Sequence, residues 1–200
     1  MTHGKLLRIG GYISGGVLIL FGIVVIALGV WGISFTRDQL KQEGIVFGPV
    51  SDPAVAEHAE EWAGEPVETG SQALAFAEIM REHTLASTDG LTYAQMGRFQ
   101  SADDPADPAG TNDEAAAAKD ENGQPVSNGA RDIWVTETAL TTALNMSFMS
   151  EMLSVFSIVV GIALLLTGIG LVILAVAVFG RGQPAEPAPA PAAVPGGAAA

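Results

Sequence analysis

Two long runs without a charged residue constrain this 200-residue chain more than any other feature. Residues 9–36 and residues 152–180 contain no Asp, Glu, Lys or Arg. A helix needs about 20 apolar residues to cross a lipid bilayer, and both runs exceed that length. Each run therefore predicts a transmembrane helix, and residues 37–151 form a polar segment between the two.

The first run could also belong to a cleaved signal peptide, because Lys5 and Arg8 precede it. However, a signal peptide has an apolar core of about 7 to 15 residues, and this run is much longer. No pair of small residues suited to cleavage follows in residues 33–36. We interpret the run as a retained membrane span.

The positive charges predict the orientation of the two spans. Lys5, Arg8 and Arg181 flank the runs on the terminal sides, whereas residues 36–151 carry six Lys or Arg against 21 Asp or Glu, a net charge of 6 − 21 = −15. Short cytoplasmic segments are enriched in Lys and Arg. We therefore predict a plasma-membrane protein whose termini, residues 1–8 and 181–200, are cytoplasmic and whose central segment is extracytoplasmic.

The overall composition excludes several classes of function. The net charge of −13 argues against nucleic-acid binding, which requires clustered Lys and Arg. The chain has no cysteine, so disulfides and thiolate chemistry are excluded. Neither apolar run holds an ionisable residue, the usual marker of an ion or proton path. We predict the lipid bilayer as one partner and a membrane protein or a second copy of this chain as another.

Small residues recur at seven-residue spacing in both runs and so lie along one face of each predicted helix. Such faces let membrane helices approach closely. The pattern predicts packing, either between the two spans or with another subunit, through Gly11, Gly15, Gly22, Gly29, Gly161, Gly168 and Ala175.

Residues 37–99 predict a small helical domain. Asp52 followed by Pro53 is typical of a helix start, and this helix should end near Gly64. A second helix is predicted at residues 72–86, capped by Ser71 or Thr69. A short third helix follows at residues 91–99.

The remaining polar segment divides into two parts. Residues 100–129 hold two Asp-Pro pairs, an alanine run at residues 115–118 and almost no large apolar residue, which predicts a disordered acidic loop. Residues 130–151 predict a membrane-proximal extension of the second span, with an apolar stripe that the small helices could cover. The stripe comprises Ile133, Leu140, Leu144 and Phe148, with Trp134 beside it. The Ala- and Pro-rich tail at residues 181–200 is predicted to be disordered. The fold class is thus mainly α, a two-span transmembrane hairpin with a small extracytoplasmic helical domain.

Two histidines in this domain are weak candidates for metal ligands. His58 and His83 lie on the apolar faces of two different predicted helices, and Glu61 or Glu82 could complete a site if those faces meet. The alternative is that each imidazole is a packed side chain with one hydrogen bond. We find no catalytic constellation and predict no cofactor. Glu151, at the membrane edge, could pair with Arg37, although a solvated carboxylate is the favoured interpretation.

Two passages give the chain a resemblance to a known family. Residues 77–96, AEIMREHTLASTDGLTYAQM, and residues 143–149, ALNMSFM, resemble small two-pass membrane proteins of actinobacteria. This family is often labelled aromatic ring-opening dioxygenase. The resemblance implies the order span, outer domain, span over residues 5–180, and the label implies an iron site of two histidines and a carboxylate.

These observations favour a structural or protein-interaction role at the cell envelope, without enzymatic activity. Two alternatives stay open. One is a metal-dependent, dioxygenase-like enzyme that uses His58 and His83, and the other is a sensor of a small ligand.

Overall fold

The computed structural model describes residues 3–177 and shows a mainly helical chain, as the sequence predicts. Four α-helices are present, namely α1 (His3–Glu43), α2 (Pro53–His58), α3 (Gly70–Ser87) and α4 (Gly129–Ala177). Two short 3-10 helices lie at Glu60–Trp62 and Tyr93–Gln95. Within residues 3–177 there are isolated β-bridges but no strands. The predicted tail at 181–200 and the last three residues of the second predicted span lie outside the described residues.

Helices α1 and α4 are long and apolar enough to cross a membrane. Helix α1 continues beyond the uncharged run and ends at Glu43, because Gly44 adopts the left-handed conformation (φ +63°) that terminates helices. Helix α4 is continuous over 49 residues and joins the predicted extension to the second apolar run. In the most apolar window of each helix only 17% of the residues are buried.

The chain divides into two compact units, and both long helices contribute to each. The first unit comprises residues 1–25 and 160–200, and the structure describes residues 3–25 and 160–177 of it. The second unit comprises residues 26–159.

The core of the second unit forms where α2 and α3 pack near the end of α1 and the first half of α4. Asp52 caps α2 by accepting a hydrogen bond from the Ala54 N–H at 3.0 Å, and Thr69 and Gln72 cap α3 reciprocally. Both caps confirm the predicted helix starts. The buried apolar residues are Leu40, Phe47, Ala54, Val55, Ala59, Val67, Ala73, Ala77, Ile79 and Leu144.

The apolar stripe predicted on the extension of α4 is only partly right. Leu144 is buried, but Ile133 and Leu140 are about half exposed, at 45% and 50%. The buried face begins at Trp134, which the prediction put beside the stripe, and continues through Glu137, Thr141 and Leu144. The indole N–H of Trp134 donates to the Leu91 carbonyl at 2.9 Å. Two of these buried residues, Glu137 and Thr141, are polar, so apolar periodicity alone does not reveal the face.

The prediction of a disordered loop at residues 100–129 differs from the structure, which describes this segment as ordered. Phe99 and Thr111 exchange backbone hydrogen bonds of 2.9 and 2.8 Å, and the Gln100 N–H donates to the Val126 carbonyl at 3.0 Å. Asn128 is buried and donates to the carbonyls of Gly97 and Pro108. Several Asp side chains also accept from the backbone N–H two residues later. The order of this segment comes from backbone and Asx hydrogen bonds, which a count of apolar residues does not detect.

Candidate functional site

The two candidate histidines lie at the contact between α2 and α3, and each faces a carboxylate. The Nε2 atom of His58 lies 3.1 Å from Glu82 Oε2, and the Nε2 atom of His83 lies 2.9 Å from Asp52 Oδ2. The two helix faces therefore meet, as the metal hypothesis requires. However, the two imidazoles do not share a partner. His58 of α2 pairs with Glu82 of α3, and His83 of α3 pairs with Asp52, the cap of α2.

One of these pairs belongs to a group that could hold a cation. Ligand atoms of Glu57, His58 and Glu82 all lie within 4.8 Å of one another. One imidazole and two carboxylates suit a divalent metal such as zinc, manganese or iron. His83 is not part of this group, so among the side chains that the structure describes, two histidines and a carboxylate do not come together. Glu61, the other carboxylate considered with the histidines, is also not in the group.

Asp52 has a second role beyond the capping of α2. The hydrogen bond from His83 lowers the pKa of the Asp52 carboxyl, and the N–H groups of Ala54 and Val55 lower it further. Asp52 is thus held ionised at the start of α2, where it stabilises the helix end and keeps His83 in place.

The predicted small-residue faces of α1 and α4 meet each other within this chain. In the first unit, a Cβ atom built on Gly15 would lie 2.7 Å from the Gly168 carbonyl oxygen, and the reciprocal distance is also 2.7 Å. Gly11 approaches Ala175, and Gly22 approaches the Gly161 carbonyl. The two backbones are in contact here, which leaves no room for larger side chains.

In the second unit, the same close approach involves Gly29 and a residue that sequence reasoning missed. A Cβ on Gly29 would lie 2.7 Å from the Ser154 carbonyl oxygen, and Gly32 packs against the Ser154 side chain. Ser154 is buried and donates to the Ser150 carbonyl at 2.9 Å. The sequence did carry a signal for Ser154, because it lies seven residues before Gly161 and so continues the spacing of Gly161, Gly168 and Ala175.

A buried carboxylate joins three helices of the second unit. Glu151 is 7% exposed, accepts from Arg37 Nη2 at 2.6 Å and accepts from the Gly70 N–H at 2.5 Å. Gly70 is the first residue of α3, where free N–H groups and the helix dipole favour an anion. A Cβ on Gly70 would lie 3.0 Å from the Phe148 Cα atom, so glycine allows this approach. The pairing of Glu151 with Arg37 is confirmed, in place of the solvated carboxylate that we favoured from the sequence.

Comparisons of the chain with protein-family models, with curated proteins and with solved structures find no match.

Proposed function

We propose that this chain is a two-pass integral membrane protein with a structural or protein-interaction role at the cell envelope. Helices α1 and α4 would cross the plasma membrane, with both termini in the cytoplasm and residues 37–151 outside. The observation that carries the proposal is the exposure of large apolar side chains on two helices whose small residues face inward.

The apolar exposure is extensive on both helices. Leu20 and Phe21 of α1 and Phe156 and Leu166 of α4 are each about 60% exposed. A core helix of a soluble protein would be mostly buried, and only 17% of the residues in these windows are. A signal sequence would account for a helix near the N-terminus but not for α4. Lipid is the solvent that favours such surfaces.

The orientation follows from Lys5, Arg8 and Arg181, which flank the apolar runs on the terminal sides. A reporter enzyme that is active only in the cytoplasm, fused after Gly182, should be active, and the same reporter inserted after Glu121 should be inactive. Activity of the second fusion would contradict the orientation. Release of the chain from membranes by alkaline carbonate would contradict the integral membrane assignment.

The absence of charged side chains from the apolar parts of α1 and α4 supports the interaction role. Residues 9–36 and 152–177 contain no charged side chain that could serve an ion path. Purification in a mild detergent should retrieve a stoichiometric envelope protein or a homo-oligomer. Recovery of the monomer alone would argue against this role.

A metal-dependent enzyme is the second candidate, and the group of Glu57, His58 and Glu82 favours it. The resemblance to the actinobacterial dioxygenase-labelled family stays a prediction that points the same way. Metal analysis of the purified full chain distinguishes the two functions. Near-stoichiometric iron or zinc that is lost in His58→Ala but kept in His83→Ala would support the enzyme, and a metal-free chain would exclude it. The third alternative, a small-ligand sensor, also stays a prediction.

A further inference from the structure

Two cavities of about 370 and 430 Å³ lie between α3 and α4 in the second unit, and Met80 of α3 and Leu140 of α4 line both of them. We call the two cavities together the α3/α4 groove. Each cavity falls within the range of about 300 to 1,000 Å³ that is common for small-molecule sites.

One half of the α3/α4 groove is mostly apolar. It is lined by Leu40, Ile45, Phe76 and Leu144, by the shared Met80 and Leu140, and by the exposed polar residues Gln39 and Glu43. These side chains come from α1, from the segment after it, from α3 and from α4, so four parts of the chain contribute to the apolar half. This surface suits an alkyl chain.

The other half carries two acidic side chains. It is lined by Asp132 and Glu137 together with Thr84, Thr136, Ile133 and the shared Met80 and Leu140. Glu137 is only 5% exposed, and its Oε2 atom accepts from the Thr138 hydroxyl at 3.2 Å. Within residues 3–177, none of the ion pairs involves Glu137. A buried carboxylate without a cation is costly in free energy, and a bound cation would offset that cost.

We propose that the α3/α4 groove binds an amphiphile with a primary ammonium head and a single alkyl chain. The ammonium group would lie against Glu137 and Asp132, and the chain would follow α4 towards Leu144. The seven residues from Glu137 to Leu144 correspond to about 10 Å of helix, which a medium-length alkyl chain can cover. Glu137 would repel a carboxylate head, and a hydroxyl head could donate a hydrogen bond to it but would leave its charge without a counter-charge. This ligand class goes beyond the proposed membrane role, which rests on other faces of α1 and α4.

Three probes with the same chain and different heads test the proposal, namely octylamine, octanol and octanoate. Each is titrated by calorimetry against the full chain in nanodiscs of zwitterionic lipid, and binding to empty nanodiscs is subtracted to remove partition into lipid. Octylamine should bind at least about tenfold more tightly than octanol, because a charge-assisted pair with a buried carboxylate contributes that much. Equal affinities for the amine and the alcohol, or tighter binding of octanoate, would overturn the proposal.

Single substitutions test which half of the groove binds the ammonium head and which half binds the alkyl chain. Glu137→Gln keeps the side-chain volume and an acceptor for Thr138, and should reduce octylamine affinity about tenfold without changing octanol affinity. Asp132→Asn should reduce octylamine affinity in the same direction, and Leu140→Ser should weaken both probes. Glu121→Gln removes a charge from the exposed acidic segment and should change neither. Loss of octylamine binding in Glu121→Gln as large as in Glu137→Gln would mean general charge attraction and would overturn the proposal.

Discussion

Arg37 of α1 and Glu151 of α4 form an ion pair in which Nη2 and Oε1 are 2.6 Å apart. The carboxylate of Glu151 is nearly buried, whereas the Arg37 side chain is 45% exposed. The other carboxylate oxygen accepts from the Gly70 N–H. Glu151 therefore connects both long helices to the start of α3, and its desolvation is offset by a charge, a backbone donor and a helix dipole.

Replacement of Glu151 by alanine should destabilise the second unit by about 2 to 4 kcal/mol, because it leaves the Gly70 N–H and Arg37 without their acceptor. The free energy of unfolding, measured by denaturant titration in detergent micelles, checks this. Glu68→Ala is the matched control, since the pair between Lys41 and Glu68 is exposed and 3.5 Å long. It should cost less than about 1 kcal/mol. Equal costs for the two variants would contradict the role of Glu151.

The contact between Gly15 and Gly168 predicts that the effect of a glycine substitution on helix pairing depends strongly on its position in each helix. Gly15→Leu should lower the stability of helix pairing by about 1 to 3 kcal/mol or more, because the new side chain would meet the backbone of α4. Gly16→Leu is its control, since a Cβ there meets no atom within 4 Å. Gly168→Leu and Gly170→Leu form the equivalent pair on α4. Stability in mixed micelles measures the effect, and similar losses at Gly15 and Gly16 would contradict the observed faces.

The side chain of Asn128 should be required to hold residues 97–128 in their ordered conformation. Asn128→Ala removes hydrogen bonds to the carbonyls of Gly97 and Pro108 from a buried position. Exchange of the Phe99 and Thr111 amide protons should become about tenfold faster, since each lost bond contributes about 1 kcal/mol. Asn145→Ala, at an exposed position on α4, should leave exchange unchanged. Fast exchange of these amides in the unmodified chain would instead support the disordered loop that the sequence predicts.

The lowered pKa of Asp52 predicts acid sensitivity at the start of α2. A carboxyl whose pKa is lower in the folded state stabilises the fold at pH values above its ordinary pKa, and this contribution is lost as the pH falls through the lowered value. Exchange of the Ala56 amide, which donates to the Asp52 carbonyl, should therefore accelerate below about pH 4 beyond the intrinsic change.

The variant Asp52→Asn separates the charge of Asp52 from its capping role. Asparagine still accepts from the Ala54 N–H but no longer carries the charge that faces His83. The acid-dependent part of Ala56 exchange should disappear in this variant and remain in Asp120→Asn, which removes a carboxyl of the 100–129 segment whose pKa is also lowered. An unchanged pH profile in Asp52→Asn would contradict the assignment.

The sequence by itself determined the helical class, the two long apolar helices and their small-residue faces. These features depend on local periodicity and on the absence of charge, which a helix expresses without reference to the rest of the chain. The caps at Asp52 and Thr69 are local for the same reason. Each of them is encoded within four consecutive residues.

Only the tertiary structure decided which distant groups meet. The sequence left open whether Gly15 faces its own chain, favoured a solvated Glu151, and placed Leu140 on the apolar stripe of α4 with Trp134 beside that stripe. It also gave no indication that Glu137 is buried or that residues 100–129 are ordered. These outcomes depend on hydrogen bonds and contacts between residues far apart in the chain, such as Trp134 with Leu91 and Glu151 with Gly70, which hydrophobic patterning does not encode.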